Sequence, residues 1–343
     1  MEAALAFWGV ADGPNFERHS ILHVPRPPAA VAERLGISVE RLAEHIVRAR
    51  GILRAARDKR VPPGLDNKVL AAWNGLMLTA FAEAGRSLGR ADYLAAAARS
   101  ADFLTSQMVV GGRLHRSWKD GRAHILGYLE DHAAVGAGLL DAYEATFDRR
   151  WLDHSRALAE EALRLFWDEA KEAFFDTGSD QEALVVRPRS LFDNAVPSGT
   201  AVAIEWLFRL AAHLGEERYE RQALRALRPM ADLMRRYPTG FGRYLAALDF
   251  HLGPVPEIAL VWPAASGGEA AAAPLLERVF GRYLPNRVVA GMADGAKEAA
   301  ALPLLAGKRA EGGRATAYLC RKYVCQAPTS DPDALARQLD GGV

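Results

Sequence analysis

The sequence predicts an all-α fold of repeated helical hairpins, the building unit of an α/α toroid, and two observations carry that prediction. The first is an internal repeat. Three segments share one plan: an apolar, small-residue helix, a short turn, an aromatic residue, then a charged amphipathic helix. The second is a contrast within each pair. One helix is apolar nearly all round and the other is two-faced, as the inner and outer helices of a ring must be.

The first unit runs from Trp73 through Leu88-Gly89-Arg90 to Tyr93 and on to Gln107. The second runs from Glu130 through Asp148-Arg149-Arg150 to Trp151 and on to Phe166. The third runs from Pro197 through Leu214-Gly215-Glu216 to Tyr219 and on to Arg236. Tyr93, Trp151 and Tyr219 hold the same place in each unit and are expected to staple the start of the second helix. Ala133 to Leu140 is apolar on every side, and its Gly and Ala residues permit close helix approach. Its partner from Asp153 to Phe166 alternates charged and apolar faces.

Around these units, Ser38 to Lys59 reads as a helix with Ser38 as N-cap, ended by Arg60-Val61-Pro62-Pro63-Gly64. Glu257 to Trp262 and Arg287 to Ala290 are short and rich in Val and Ile, which suits strands. Ala270 to Phe280 returns to helix, and a short helix follows Ser330 before a frayed Gly-Gly-Val end. The expected organisation is an extended N-terminal segment over 1–30 and a partial toroid domain over 31–343, with a mixed segment from about 241.

Composition narrows the function classes. The 343 residues are 50% apolar and 25% charged, the balance of a soluble globular protein. Lys plus Arg (43) against Asp plus Glu (42) leaves a formal charge of +1, which gives no electrostatic reason for a nucleic-acid partner. No apolar run approaches the roughly 20 residues of a membrane span. Met1 to Val10 lacks the basic leader and cleavage site of a signal peptide. Two cysteines do not make a disulfide framework, so a reducing, cytoplasmic location is the expectation.

Each inner helix is preceded by a polar cluster: Leu65-Asp66-Asn67-Lys68 leading to Trp73-Asn74-Gly75, then Tyr128-Leu129-Glu130-Asp131-His132, then Asp193-Asn194-Ala195-Val196-Pro197-Ser198-Gly199. In a ring of hairpins all inner helices point one way, so the three clusters should meet at one mouth, where helix N-termini offer free N–H groups. Asp66, Asp131 and Asp193 also read as ordinary helix caps, and Trp73 as core. Their convergence is what argues for a site. Its catalytic candidates are Asp131, Asp66, Asp193 and His132; Trp73, Asn74, Lys68, Glu130, Tyr128 and Ser198 are candidates for substrate binding.

Other motifs are absent: no Gly-rich phosphate loop, no His-Glu-x-x-His, no Gly-x-Ser-x-Gly. No metal site and no cofactor are expected. His154 and His213 read as structural or solvated. Cys320 and Cys325 lack metal-ligand spacing and read as structural or idle thiols, with redox chemistry as the alternative beside Arg321 and Lys322.

These motifs resemble a known family. Asn15-Phe16-Glu17, Pro63 to Lys68, Ala72 to Met77, Tyr128 to Asp131, Asp193 to Gly199 and Cys320 to Pro328 recur in the order and spacing of the C-terminal half of the YyaL-like family, the spermatogenesis-associated protein 20 group. The resemblance covers nearly the whole chain. It implies a thioredoxin-like domain followed by a six-hairpin glycosidase-like toroid, similar to N-acylglucosamine 2-epimerases and several glycoside hydrolases. The thioredoxin-like domain and the early hairpins have no counterpart here, and roughly seven to nine helices are fewer than six hairpins need. Asn67 stands where the family usually has a second Asp, His132 where it has Tyr, and Pro14 and Arg18 where it has Gly.

The expected function is therefore carbohydrate binding or modification. Glycoside hydrolysis needs two carboxylates about 5–5.5 or 6.5–9.5 Å apart, with Asp131 as acid and Trp73 stacking the sugar. Epimerisation needs a general base, for which His132 is the candidate. The rival expectation is a non-catalytic module docking a thioredoxin-like domain or the missing toroid half.

Overall fold

The computed structural model describes residues 1–264, 267–297, 302–322 and 324–341. The chain divides into two compact units, Met1–Asp66 and Asn67–Val343, not near residue 30 as the sequence suggests. Of the terminal Gly-Gly-Val, Gly342 and Val343 lie outside the described residues, as does Tyr323 of the last family motif.

The N-terminal unit carries α1 (Glu2–Phe7), α2 (Pro28–Arg34) and α3 (Val39–Arg57). Its first residues are helical where an extended segment was expected. The reason is a small core in which Ala6 and Trp8 pack with Val31, Ala32, Leu42 and Ile46. Ser38 does cap α3: its hydroxyl accepts the Arg41 N–H at 3.1 Å.

The second unit is an arc of an α/α toroid. Its hairpins are α4 (Ala71–Ser87) with α5 (Ala91–Ser106), α6 (Leu129–Thr146) with α7 (Arg149–Phe166), and α8 (Gly199–Leu214) with α9 (Glu217–Leu227). The third outer helix breaks at Pro229, beyond which the chain forms α10 (Ala231–Arg236). A further inner helix, α11 (Gly242–Leu252), packs against α8. The inner helices lie side by side in the order α4, α6, α8, α11. In α6 nearly every residue from Leu129 to Ala145 is buried. Glycine sets the spacing: a Cβ on Gly75 would stand 2.5 Å from the Ala134 carbonyl carbon, and one on Gly138 2.6 Å from the Gly75 oxygen.

The repeated aromatic residue has the structural meaning its position suggests. Trp151 and Tyr219 are buried and Tyr93 is half-buried. Each lies under an arginine just before it in sequence: Arg90 over Tyr93 at 4.2 Å, Arg150 over Trp151 at 4.7 Å, Arg218 over Tyr219 at 4.4 Å.

Strands fill the connections. β1 (Val69–Leu70), β2 (Val109–Val110), β3 (Arg113–Lys119) and β4 (Arg122–Leu126) form one antiparallel sheet, which the sequence reading missed; β5 (Trp167–Asp168) pairs β6 (Ala173–Phe174). Past α11, β7 (Glu257–Trp262), α12 (Ala273–Phe280), β8 (Val288–Ala293), β9 (Thr316–Arg321), β10 (Val324–Cys325) and α13 (Pro332–Asp340) build a mixed sheet in the order β10-β9-β7-β8. β7 and β8 are parallel and lie where the Val- and Ile-rich runs placed them. This part packs on the C-terminal ends of the inner helices, through Arg287 on Glu83 (2.5 Å) and Trp262 on Phe147. One expectation is overturned here: Cys320 and Cys325 are joined in a disulfide, because strand pairing sets them directly opposite one another.

Candidate functional site

Within the second unit the inner-helix starts do meet. Trp73 and Leu76 of α4, Glu130 and Ala134 of α6, and Val202 of α8 with Pro197 just before it surround a cleft of about 20 Å³. That is room for a water molecule and not for a sugar ring. Trp73 stands at its edge with 62% of its surface exposed, so its ring offers a face to solvent and is not core.

Asp131 and Asp193 are each tied to two inner-helix starts. Asp131, 1% exposed, accepts the Tyr128 N–H of its own helix start (2.9 Å) and the Ala72 N–H of α4 (3.1 Å). Asp193 accepts the Ser198 N–H at the start of α8 and the Arg243 N–H at the start of α11, both at 2.8 Å. Each carboxylate thus fastens one inner helix to the next by satisfying N–H groups that a helix start leaves open. Arg116 of β3 completes the first knot, reaching Glu130 at 2.5 Å and Asp131 at 3.1 Å while lying over the Tyr128 ring. Burial pushes the Asp131 carboxyl up; the Tyr128 N–H and Arg116 pull against it.

The remaining candidates are bonded to other partners or exposed. His132 points away from the mouth into the outer layer, with Nδ1 2.9 Å from the Tyr128 carbonyl and Nε2 3.2 Å from Glu161 of α7. Both ring nitrogens are therefore engaged with partners away from the mouth. Asn74 donates to the Leu70 carbonyl (2.8 Å), and Ser198, almost fully buried, donates to the Ser190 carbonyl (2.8 Å). Lys68 is exposed at the head of the second unit, and Asp66 is the exposed last residue of the first.

Sequence reasoning missed the charged residues further down the inner helices. Glu130, Ala134, Ala137, Asp141 and Glu144 follow one another on one face of α6 by helical spacing. At the far end of that line Asp141 accepts from Thr79 of α4 (2.5 Å) and pairs with Arg209 of α8 (2.6 Å). Glu144 pairs with Arg209 (3.1 Å) and His213 (2.8 Å). Burial works to raise the Glu144 carboxyl, but Arg209 and His213 overcome it and hold it at about 2. On the flanking helices, Glu83 faces Arg287 and Glu205 faces Arg243 at 2.6 Å. Burial pushes both carboxyls up, the nearby Asp141 adds to it, and the arginines oppose it. A legible signal existed: Asp141, Glu144, Glu205 and Arg209 are the charges that interrupt otherwise apolar helices.

A larger cavity of about 570 Å³ opens in the outer layer between α5 and α7, floored by Leu104, Val135 and Leu158. Its carboxylates are already engaged, Glu160 with Arg218 and Tyr219, and Glu161 with Arg113 and His132. Among the described residues, no group of three or more His, Cys, Asp or Glu side chains is arranged to hold a metal ion. Nor is any helix there long and apolar enough to cross a membrane.

No family model matches the chain. Among solved structures, it is similar to cellobiose 2-epimerase from Spirochaeta thermophila DSM 6192 at 17% identity and a TM-score of 0.42, covering 48% of this chain and 43% of that one. It is also similar to a GH76 α-mannanase of Bacteroides thetaiotaomicron at 18% identity and a TM-score of 0.39, covering 49% and 44%. Mouse spermatogenesis-associated protein 20 is 32% identical to it over 95% of this chain, and the human protein is 32% identical over the same share. The chain spans 43% of the length of each of these two relatives. By sequence, then, the chain is a homologue of the spermatogenesis-associated protein 20 family over nearly all of its own length.

Proposed function

We propose that the second unit binds and modifies carbohydrate along the inner-helix face that starts at Trp73. The observation that carries this is the exposed Trp73 ring where three inner-helix starts meet, because a solvent-facing indole beside hydrogen-bonding groups suits the mixed apolar and polar faces of a sugar. Glu130 and Arg116 are the polar partners at the same edge. In this reading Asp131 and Asp193 shape the mouth. Proton transfer, in glycoside hydrolysis or epimerisation, falls to Glu83 and Glu205, which burial biases towards the protonated form a general acid needs.

The test is calorimetric titration of the whole chain with mono- and disaccharides, alongside Trp73→Ala. Binding by the parent chain that weakens about tenfold or more in the variant, at unchanged stability, supports the reading; equal binding by both sinks it.

Met77 favours a second reading. One turn beyond Trp73, it is 52% exposed, so the two side chains form an apolar stripe suited to docking another helix. The occupant would be a thioredoxin-like domain or further hairpins, in line with the longer relatives. Met77→Glu separates the readings: it should abolish such docking and leave saccharide affinity unchanged.

A further inference from the structure

The disulfide lies outside everything assigned above. Cys320 and Cys325 are the only cysteines in the sequence, bonded across β9 and β10 at directly opposed positions. Their surroundings differ sharply. Cys320 is 1% exposed on β9, between β10 and β7 in the sheet. Cys325 is exposed on β10, a two-residue edge strand.

The bond's contribution to holding this part of the fold is at the low end for a disulfide. It closes a loop over a sequence separation of 5, and so short a loop removes less chain entropy from the unfolded state than a longer one. The chain beyond Cys325 has anchors of its own. The Gln326 N–H donates to the Leu319 carbonyl at 2.9 Å, and Thr329 exchanges hydrogen bonds of 2.8 and 3.0 Å with Ala317. Further on, Leu335 and Leu339 of α13 pack into the core formed with Leu275 and Phe280 of α12. A disulfide open to solvent on one side, with the chain beyond it anchored independently, belongs to the exchangeable class.

We propose that Cys320–Cys325 is a thiol–disulfide exchange site whose partner is a dithiol reductant. One thiolate of the reductant attacks the exposed Cys325 sulfur, forming a mixed disulfide and expelling the Cys320 thiolate. The second thiolate of the reductant closes on its own sulfur in that mixed disulfide and releases the Cys325 thiolate. The reductant leaves as a cyclic disulfide, and its two protons end on Cys320 and Cys325. The site stands independently of the carbohydrate reading.

The test treats the native full chain with graded dithiothreitol, traps thiols with a maleimide, and reads intact mass beside far-ultraviolet circular dichroism. Two labels appearing together, at reductant levels that leave the helical signal unchanged, are the expected result. In single variants, Cys325 of Cys320→Ser should form a mixed disulfide with glutathione disulfide about tenfold or more faster than Cys320 of Cys325→Ser, given their exposures. The proposal falls if labels appear only under denaturant, or if the two variants react at equal rates. It also falls if the purified chain carries two free thiols that glutathione disulfide does not close.

Discussion

At the residue scale, Asp131 and Asp193 share a design that their sequence context leaves undecided. An Asp before an inner helix is legible as a cap; that it also takes an N–H from the neighbouring inner helix is not, since Ala72 lies 59 and Arg243 50 residues away in sequence. Asp131→Ala should lower unfolding free energy by about 3 kcal/mol, because the Tyr128 and Ala72 N–H groups and Arg116 all lose their acceptor at a buried position. Asp193→Asn, at a half-buried position without an arginine partner of this kind, should cost closer to ~1 kcal/mol. Urea denaturation measures both. A purely catalytic Asp131 would instead leave stability unchanged. His132 shows the same limit on reading residues singly. Its place beside Asp131 suggested the mouth, but adjacent helix positions point about 100° apart, and His132 faces α7.

At the element scale, the small residues of the inner helices set how closely they pack. The carbonyl of Gly136 accepts from Ser155, whose hydroxyl accepts from the Trp206 indole, at 2.7 and 2.8 Å. A Cβ on Gly136 would come within 2.1 Å of that pinned ring. Gly136→Ala should therefore destabilise the second unit by roughly 3 kcal/mol, the upper part of the range for overpacking. Gly51 is the contrasting case, an α3 position with open space around it. Gly51→Ala should stabilise the first unit by about 1 kcal/mol through helix propensity. Thermal unfolding by circular dichroism distinguishes the two signs. The hairpins, the Ser38 cap and the β7 and β8 strands were legible because each follows from local period or composition. The β3–β4 hairpin was legible only at its turn, where Asp120-Gly121 takes positive φ at both residues; its strands, Arg113 to Leu126, mix charged and apolar residues with no long alternation.

At the scale of the whole second unit, the inner helices are bound by one polar network as well as by packing. Asp141 and Glu144 join α6 to Thr79 on α4 and to Arg209 and His213 on α8. Glu144 titrates at about 2 when folded, below its ordinary 4.5. Its contribution is therefore present above its unfolded pKa and is lost as pH falls from about 4.5 towards 2. This single group supplies on the order of 3 kcal/mol of that loss. Glu83 and Glu205 shift the other way, so their effect on stability has the opposite sign. Glu144→Gln should flatten the acid limb of stability between pH 4.5 and 2 in urea titrations; an unchanged limb would mean that other carboxylates carry it.

The sequence by itself determined the hairpin repeat, the inner and outer roles of its helices and the family resemblance. Period, small-residue content and motif spacing are local properties, readable without coordinates. Only tertiary structure decided that Asp131 and Asp193 tie neighbouring helices, that His132 turns outward, that Asp141, Glu144 and Glu205 gather round Arg209, and that the two cysteines are bonded. Each of these depends on which helix or strand lies beside which. Partners tens of residues apart meet through packing and strand register, which a local pattern does not encode.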